Sequence, residues 1–143
     1  MEINKLNICD LNKIYDLNFH QFKDEAWSLQ QIEASMKNNS INFYGIKQND
    51  KLICYASILN TADDINLLQI ATDESFKKIG LASSLMNYLI NLDTQKSFSL
   101  EVKSKNIPAI NLYKKYDLKV LNVRKKYYKD GDDALCMFLR NKF

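Results

Sequence analysis

The chain is poor in the residues that punctuate, cross-link and coordinate. It has 143 residues but only one proline, three glycines, three cysteines and one histidine. With so little proline and glycine there is no linker, repeat or low-complexity tract. Cys9, Cys54 and Cys136 are odd in number and widely spaced, which excludes a disulfide framework. They are expected to be reduced thiols in apolar surroundings. A single histidine, His20, leaves no spacing suited to a metal centre, so no metal is expected. His20 reads as a surface or packing residue. No apolar run reaches the length of a membrane span. Met1 to Lys5 lacks the charged-then-apolar pattern of a signal peptide, so the expected location is the cytoplasm. The net charge is only +3, too small to argue for nucleic acid, though it suits a polyanionic small molecule.

What is present is an ordinary globular composition, 46% hydrophobic and 26% charged. That length and composition bound a single domain over residues 1–143 with one core. Ile3 to Cys9 reads as a strand, and Asp10 as the start of a helix with apolar positions at Leu11, Ile14, Leu17 and Phe19. Ser28 followed by Gln31 is a capping box for a second helix. Ile41–Ile46 and Leu52–Leu59 read as a hairpin, with Leu52, Cys54, Ala56 and Ile58 on one face. Ile65 to Thr72 is apolar on both faces, as in the middle of a covered sheet. A helix follows from Leu81 to Ile90, then a strand from Ser97 to Lys103. Pro108 suits the first turn of another helix, whose apolar side carries Ala109, Leu112, Tyr113 and Tyr116. Leu118–Tyr128 and Ala134–Arg140 read as a closing hairpin. The order β-α-α-β-β-β-α-β-α-β-β describes an α/β fold: a mixed sheet with helices on its faces.

Two stretches carry chemistry. The loop Lys77 to Ser83 joins a strand directly to a helix. A helix N-terminus offers unpaired N–H groups and a positive dipole end to a phosphate. Gly80 permits close backbone approach, and Lys77 and Lys78 add positive charge. The same pattern also fits an ordinary exposed basic loop. The second stretch is Glu101 on a strand, Asn106 at a helix start and Tyr113 about two turns into that helix. A carboxylate and a phenol converging on one cleft form a base–acid pair for acyl transfer to an amine. Solvent exposure for Glu101 and core packing for Tyr113 are the competing readings. Cys54 and Cys136 have no neighbouring histidine or cationic loop in sequence that would activate a nucleophile. Arg124 to Lys129 mixes basic and aromatic residues as nucleic-acid binders do, but one such run is a weak signal.

In order along the chain, Ile70–Asp73, Lys77–Ala82, Leu100–Val102, Ser104–Asn106, Ala109-Ile110, Leu112-Tyr113, Arg124–Tyr128 and Asp132–Ala134 resemble the GNAT superfamily of N-acetyltransferases. Within it they resemble the ribosomal-protein alanine N-acetyltransferases. The strong likeness covers roughly Ile65 to Leu139, with a fainter echo at Trp27-Ser28. The resemblance implies the acyl-CoA N-acyltransferase fold and acetyl-CoA as co-substrate. It implies that backbone groups of Ile70, Ala71 and Thr72 pair with the acetyl-pantetheine arm. Lys78, Ile79, Gly80, Leu81, Ala82 and Ser83 would hold the pyrophosphate, and Asn106 would contact the cofactor near the pantetheine. Glu101 would be the general base and Tyr113 the general acid. Trp27, Tyr127 and Tyr128 would line a peptide site, although Trp27 also reads as a helix-packing anchor. The acceptor implied is a protein N-terminus, with a ribosomal protein foremost. A small-molecule amine, or a non-catalytic acetyl-CoA sensor, are the alternatives. The departures are local: Lys77 stands where that family usually has Gln or Arg, Ala82 where it has Gly, and Asp117-Leu118 where it ends the helix with Gly-Phe, Asp taking the left-handed cap conformation at some cost.

Overall fold

A computed structural model describes residues Met1 to Arg140; the last three residues of the expected 1–143 domain, Asn141 to Phe143, lie outside the described residues. The strands are β1 (Ile3–Lys5), β2 (Ile41–Gln48), β3 (Lys51–Asn60), β4 (Asp64–Thr72), β5 (Ser97–Lys103), β6 (Lys119–Arg124) and β7 (Ala134–Leu139). The helices are α1 (Leu11–Phe22), α2 (Leu29–Lys37), α3 (Leu81–Ile90) and α4 (Ile107–Lys115). The strands form one sheet in the order β1-β2-β3-β4-β5-β7-β6, antiparallel except between β4 and β5. The expected element order is therefore the observed one. No helix among the described residues is long and apolar enough to cross a membrane.

The sheet separates two cores. α3, α4 and the inward residues of β4, β5 and β7 enclose one, around Ile65, Leu67, Leu85, Leu89, Leu100 and Met137. α1 and α2 cover the other face, around Ile14, Leu17, Ile32, Phe43 and Tyr55. At Gly45 β2 passes close to its neighbours: a Cβ there would meet the Leu52 and Leu6 terminal methyls at 2.7 and 2.8 Å and the Cys54 carbonyl at 3.1 Å. The hairpin between β2 and β3 turns through Asn49 and Asp50, both at positive φ, as a two-residue turn demands.

Four local expectations change, one of them in the closing hairpin, where β6 ends at Arg124 and not at Tyr128. The first strand ends at Lys5, not Cys9. Asn7 caps a short 3₁₀ turn at Ile8–Asp10, and the Asp10 side chain returns the bond to the Asn7 N–H. That turn leaves Cys9 exposed instead of in the core, and Cys136 is half-buried; only Cys54 is a core thiol. Leu52 does not share a face with Cys54, Ala56 and Ile58. A bulge at Ile53, where Lys47 faces Leu52 and Ile46 faces Cys54, breaks the alternation and sends Leu52 to the α1 side.

Candidate active site

A second bulge opens the site. Ser57 faces Gln69 and Ile58 faces Leu67, so Leu68 is the extra residue in β4. Before it, Ile65 and Leu67 point to the α3 core; after it, Gln69 and Ala71 point toward α1. Bulged strands bend and twist more strongly. β4 accordingly pairs with β5 only from Asp64–Leu67 to Ser97–Leu100. Beyond that point β4 runs on to Thr72 still paired with β3, while β5 runs on to Lys103 paired with β7. The wedge between them leaves one edge of Leu68–Thr72 without a partner strand. A cleft of about 990 Å³ fills it and reaches both faces of the sheet.

On the α3 face the wall is the loop after β4. Lys78 and Gly80 both take positive φ, 67° and 88°. Gly80 is the N-cap of α3 and has no side chain to satisfy the first turn. The first intrahelical bond is Ser84 N–H to the Gly80 carbonyl. The N–H groups of Leu81, Ala82 and Ser83 therefore have no helical partner, and all three residues line the cleft. A Cβ built on Gly80 would meet nothing within 4 Å, so open space lies over this helix end. A diphosphate fits such a backbone cradle. The Ser83 hydroxyl is not part of it: Ser83 Oγ pairs with Tyr116 Oη at 2.5 Å, and Tyr116 Oη donates to the Ser83 carbonyl at 2.8 Å. Tyr116 thus braces the loop-bearing helix from α4.

Ile70, Thr72, Lys78, Gly80, Leu81, Ala82, Ser83 and Asn106 line the cleft. Ala71 and Ile79 do not. Ala71 turns its methyl into the α1 core, leaving only its backbone at the strand edge, and the Ile79 side chain is 61% exposed outside the cleft. The Asn106 Oδ1 accepts from Ala109 N–H at 3.3 Å, so it caps α4 and keeps its amide nitrogen for the cleft.

Glu101 and Tyr113 meet the cleft from β5 and α4. On β5, Phe98, Leu100 and Val102 are buried toward α3, and alternation sends Glu101 to the opposite face. Its Oε2 accepts from Arg124 Nε at 3.2 Å and from Cys136 Sγ at 3.7 Å. An ion pair this exposed is screened by solvent, so it orients the carboxylate more than it stabilises the fold. Oε1 has no partner among the described residues. Tyr113 is 5% exposed and belongs to the core cluster, so the packing reading and the cleft reading are both met. Burial, and secondarily Tyr128, push its phenol well above the usual tyrosine range, so it keeps its proton.

The other wall comes from the segment joining α1 to α2 and from the β6–β7 connection. Trp27, Tyr127 and Tyr128 line the cleft, and Trp27 also packs on the α1 core. Burial first, then Glu101 and Glu25, push the Tyr128 phenol up to about 12. Sequence patterning gave no notice of Glu25, Lys103 or Gln69 here. Lys103 Nζ pairs with Glu25 at 3.1 Å and with Asp130 at 2.8 Å, and sits 5.2 Å from the Tyr128 ring centre. It ties the two connections together across the end of β5. Asp132 accepts from Ser104 Oγ and from Lys105 N–H, anchoring the β5–α4 turn. His20 lies outside this cleft, exposed on α1, with Nδ1 2.7 Å from the Asp16 carbonyl. Burial raises the Cys54 thiol to about 11, which keeps it protonated and unreactive.

Residues 8–117 match the sequence profile of the Acetyltransferase (GNAT) family. The chain is 28% identical to the ribosomal protein bS18-alanine N-acetyltransferase of Escherichia coli (strain K12), across 96% of its own length and 95% of that protein's. Over 50% of its length, and 45% of the relative's, it is 40% identical to an N-alpha-acetyltransferase of Sulfolobus acidocaldarius. Its fold superimposes on the crystal structure of the ribosomal-protein-S18-alanine N-acetyltransferase from Escherichia coli with a TM-score of 0.91 and 26% identity, covering 99% of this chain and 94% of that one.

Proposed function

The chain belongs to the acetyltransferase (GNAT) family, and from that premise we propose that residues 1–143 act as one domain that acetylates the N-terminal α-amine of a protein. The relatives' names point to a ribosomal protein as acceptor and hence to the cytoplasm as the place of action. The observation that carries the proposal is that Glu101 and Tyr113 line the same cleft as the unpaired β4 edge and the Lys78–Ser83 cradle.

Acetyl-CoA, when bound, supplies an activated thioester. The N–H groups of Leu81, Ala82 and Ser83 hold its diphosphate, with Lys78 adding positive charge. The open edge at Ile70, Ala71 and Thr72 pairs with the pantetheine arm, and Asn106 contacts it from the α4 cap. An N–H on that edge donates where negative charge collects on the reacting carbonyl. An α-ammonium has a pKa near 8 and is mostly protonated at neutral pH. Glu101 Oε1 accepts its proton, directly or through a water. Tyr113 Oη, held protonated by burial, donates a proton to the departing sulfur. No enzyme nucleophile is required.

A small-amine acceptor would call for an enclosed acidic pocket. Of the loop acids, Asp130, Asp132 and Asp133 are instead engaged by Lys103, Ser104 and Lys126. The wall opposite α3 carries Trp27, Tyr127 and Tyr128 beside Glu101 and a Glu25 already paired with Lys103. The test is acetyl transfer to a panel of N-terminal peptides, lysine-only peptides and polyamines, with wild type and Tyr113→Phe. The expected result is transfer to free α-amines by wild type and a loss of ten-fold or more in turnover by Tyr113→Phe at unchanged acetyl-CoA affinity. Binding of acetyl-CoA without transfer to any amine would favour the sensor reading. An equally active Tyr113→Phe would remove the acid role.

A further inference from the structure

Three polar side chains packed between the sheet and α1 take no part in the chemistry above. Asn18 and Tyr55 are fully buried, and Gln69 is 8% exposed. Their hydrogen bonds fix one another in sequence. The Trp27 N–H donates to Asn18 Oδ1 at 2.8 Å. A backbone N–H can only donate, so this bond decides which end of the Asn18 amide is oxygen. The Asn18 nitrogen then donates to Tyr55 Oη at 2.8 Å and to Gln69 Oε1 at 2.7 Å. The Tyr55 hydroxyl donates to the same Gln69 oxygen at 3.0 Å. Two donors on one oxygen decide the second amide. Gln69 turns Oε1 to the protein and Nε2 away from it. Nε2 has no partner among the described residues, and it is not among the sealed polar atoms. Gln69 lines the cleft, next to Ile70 on the open strand edge and on the wall shared with Phe22 and Trp27. The Leu68 bulge is what turns Gln69 to this face.

An amide nitrogen is a donor only. It cannot take a proton from an ammonium, and it has nothing to offer an N–H. Its partner must be an acceptor oxygen. On a peptide whose α-amine is the nucleophile, the first such oxygen is the carbonyl of the first residue. A polyamine or alkylamine has none. We propose that Gln69 Nε2 donates to the first carbonyl of the acceptor peptide and so separates a peptide N-terminus from a plain amine, with Asn18 and Tyr55 as the residues that hold it in position. This assignment rests on the N-terminal reading above.

The test compares kcat/KM for an alanine-terminated peptide and for butylamine, which lacks the carbonyl, in wild type, Gln69→Glu and Gln69→Met. Gln69→Glu keeps an oxygen for Asn18 and Tyr55 but replaces the donor, so it carries the test even if Gln69→Met does not fold. A site built around one hydrogen bond rejects partners strongly once that bond is gone. The expected result is a loss of about ten-fold or more on the peptide, with butylamine turnover and acetyl-CoA affinity unchanged. Equal losses on both acceptors would assign Gln69 a structural role and overturn the proposal, as would an unchanged peptide rate. If wild type acetylates butylamine and no peptide, the N-terminal reading falls and the Gln69 assignment with it. If wild type prefers peptides and the variants keep that preference, only the Gln69 assignment falls.

Discussion

The wall of the cleft on the α3 side is one contiguous run of main chain, whereas the opposite wall is assembled from side chains on four separate segments. From Lys77 to Ser83 the donors are backbone N–H groups at a helix start, and the side chains matter mainly by being small. Opposite, Gln69 on β4, Glu101 on β5, Trp27 beside α2 and Tyr128 before β7 come from positions up to about a hundred residues apart in sequence. A wall made of main chain tolerates substitution wherever the backbone path survives. A wall made of side chains is retuned by single changes, and it is the wall to which the proposal assigns the acceptor.

The largest expected break in this comparison is Glu101→Gln. It keeps the shape of the side chain and a group for Arg124 to meet, but removes the proposed proton acceptor. Turnover should fall on the order of a hundred-fold or more, with acetyl-CoA affinity nearly intact. The loss should shrink as pH rises and more of the acceptor amine is already neutral. Steady-state rates from pH 6 to 10 check this; a pH-independent loss would make Glu101 a positioning residue.

Next in size is Gly80→Asp, which attacks the main-chain wall. A side chain there has open space around it, so steric clash with the protein is not the mechanism. The expected penalty comes from forcing φ 88° on a residue with a Cβ and from placing a carboxylate at the proposed phosphate cradle. Acetyl-CoA affinity should drop about ten-fold or more, while Gly80→Ala should lose much less. Calorimetric titration of both variants separates charge from strain. Equal affinities in all three proteins would remove the cradle assignment.

The smallest effect sharpens the contrast by leaving both walls intact. Asp117 stands at φ 68°, closing α4 with bonds from Asp117 N–H to the Lys114 carbonyl and from Leu118 N–H to the Tyr113 carbonyl. This is the paired-bond helix stop that glycine usually provides, formed here by aspartate. Asp117→Gly should raise stability by about 0.5–1 kcal/mol with activity unchanged. Chemical denaturation measures it; a destabilised variant would mean that the Asp117 side chain contributes more than its backbone strain costs.

Much of this molecule could be read from local pattern. The element order, the Ser28–Gln31 capping box, the Asn106 cap and the left-handed Asp117 all follow from forces acting within a few residues. The same holds for the Gly80 loop, because a main-chain site is by nature contiguous. Alternation along Ser97–Lys103 was enough to put Glu101 on the face opposite Leu100. What the pattern could not carry were the bulges at Ile53 and Leu68, since an extra residue is defined only against the strand it fails to pair with. The Leu68 bulge splits β4 from β5, opens the cleft and turns Gln69 toward α1. The bonds that orient Gln69 join residues 9 to 51 positions apart, and those of Lys103 link β5 to Glu25 and Asp130. Local propensity therefore determined the elements and the main-chain wall. Only the packed sheet decided which side chains face one another across the cleft, because that depends on register and on distant hydrogen bonds that no short stretch of sequence contains.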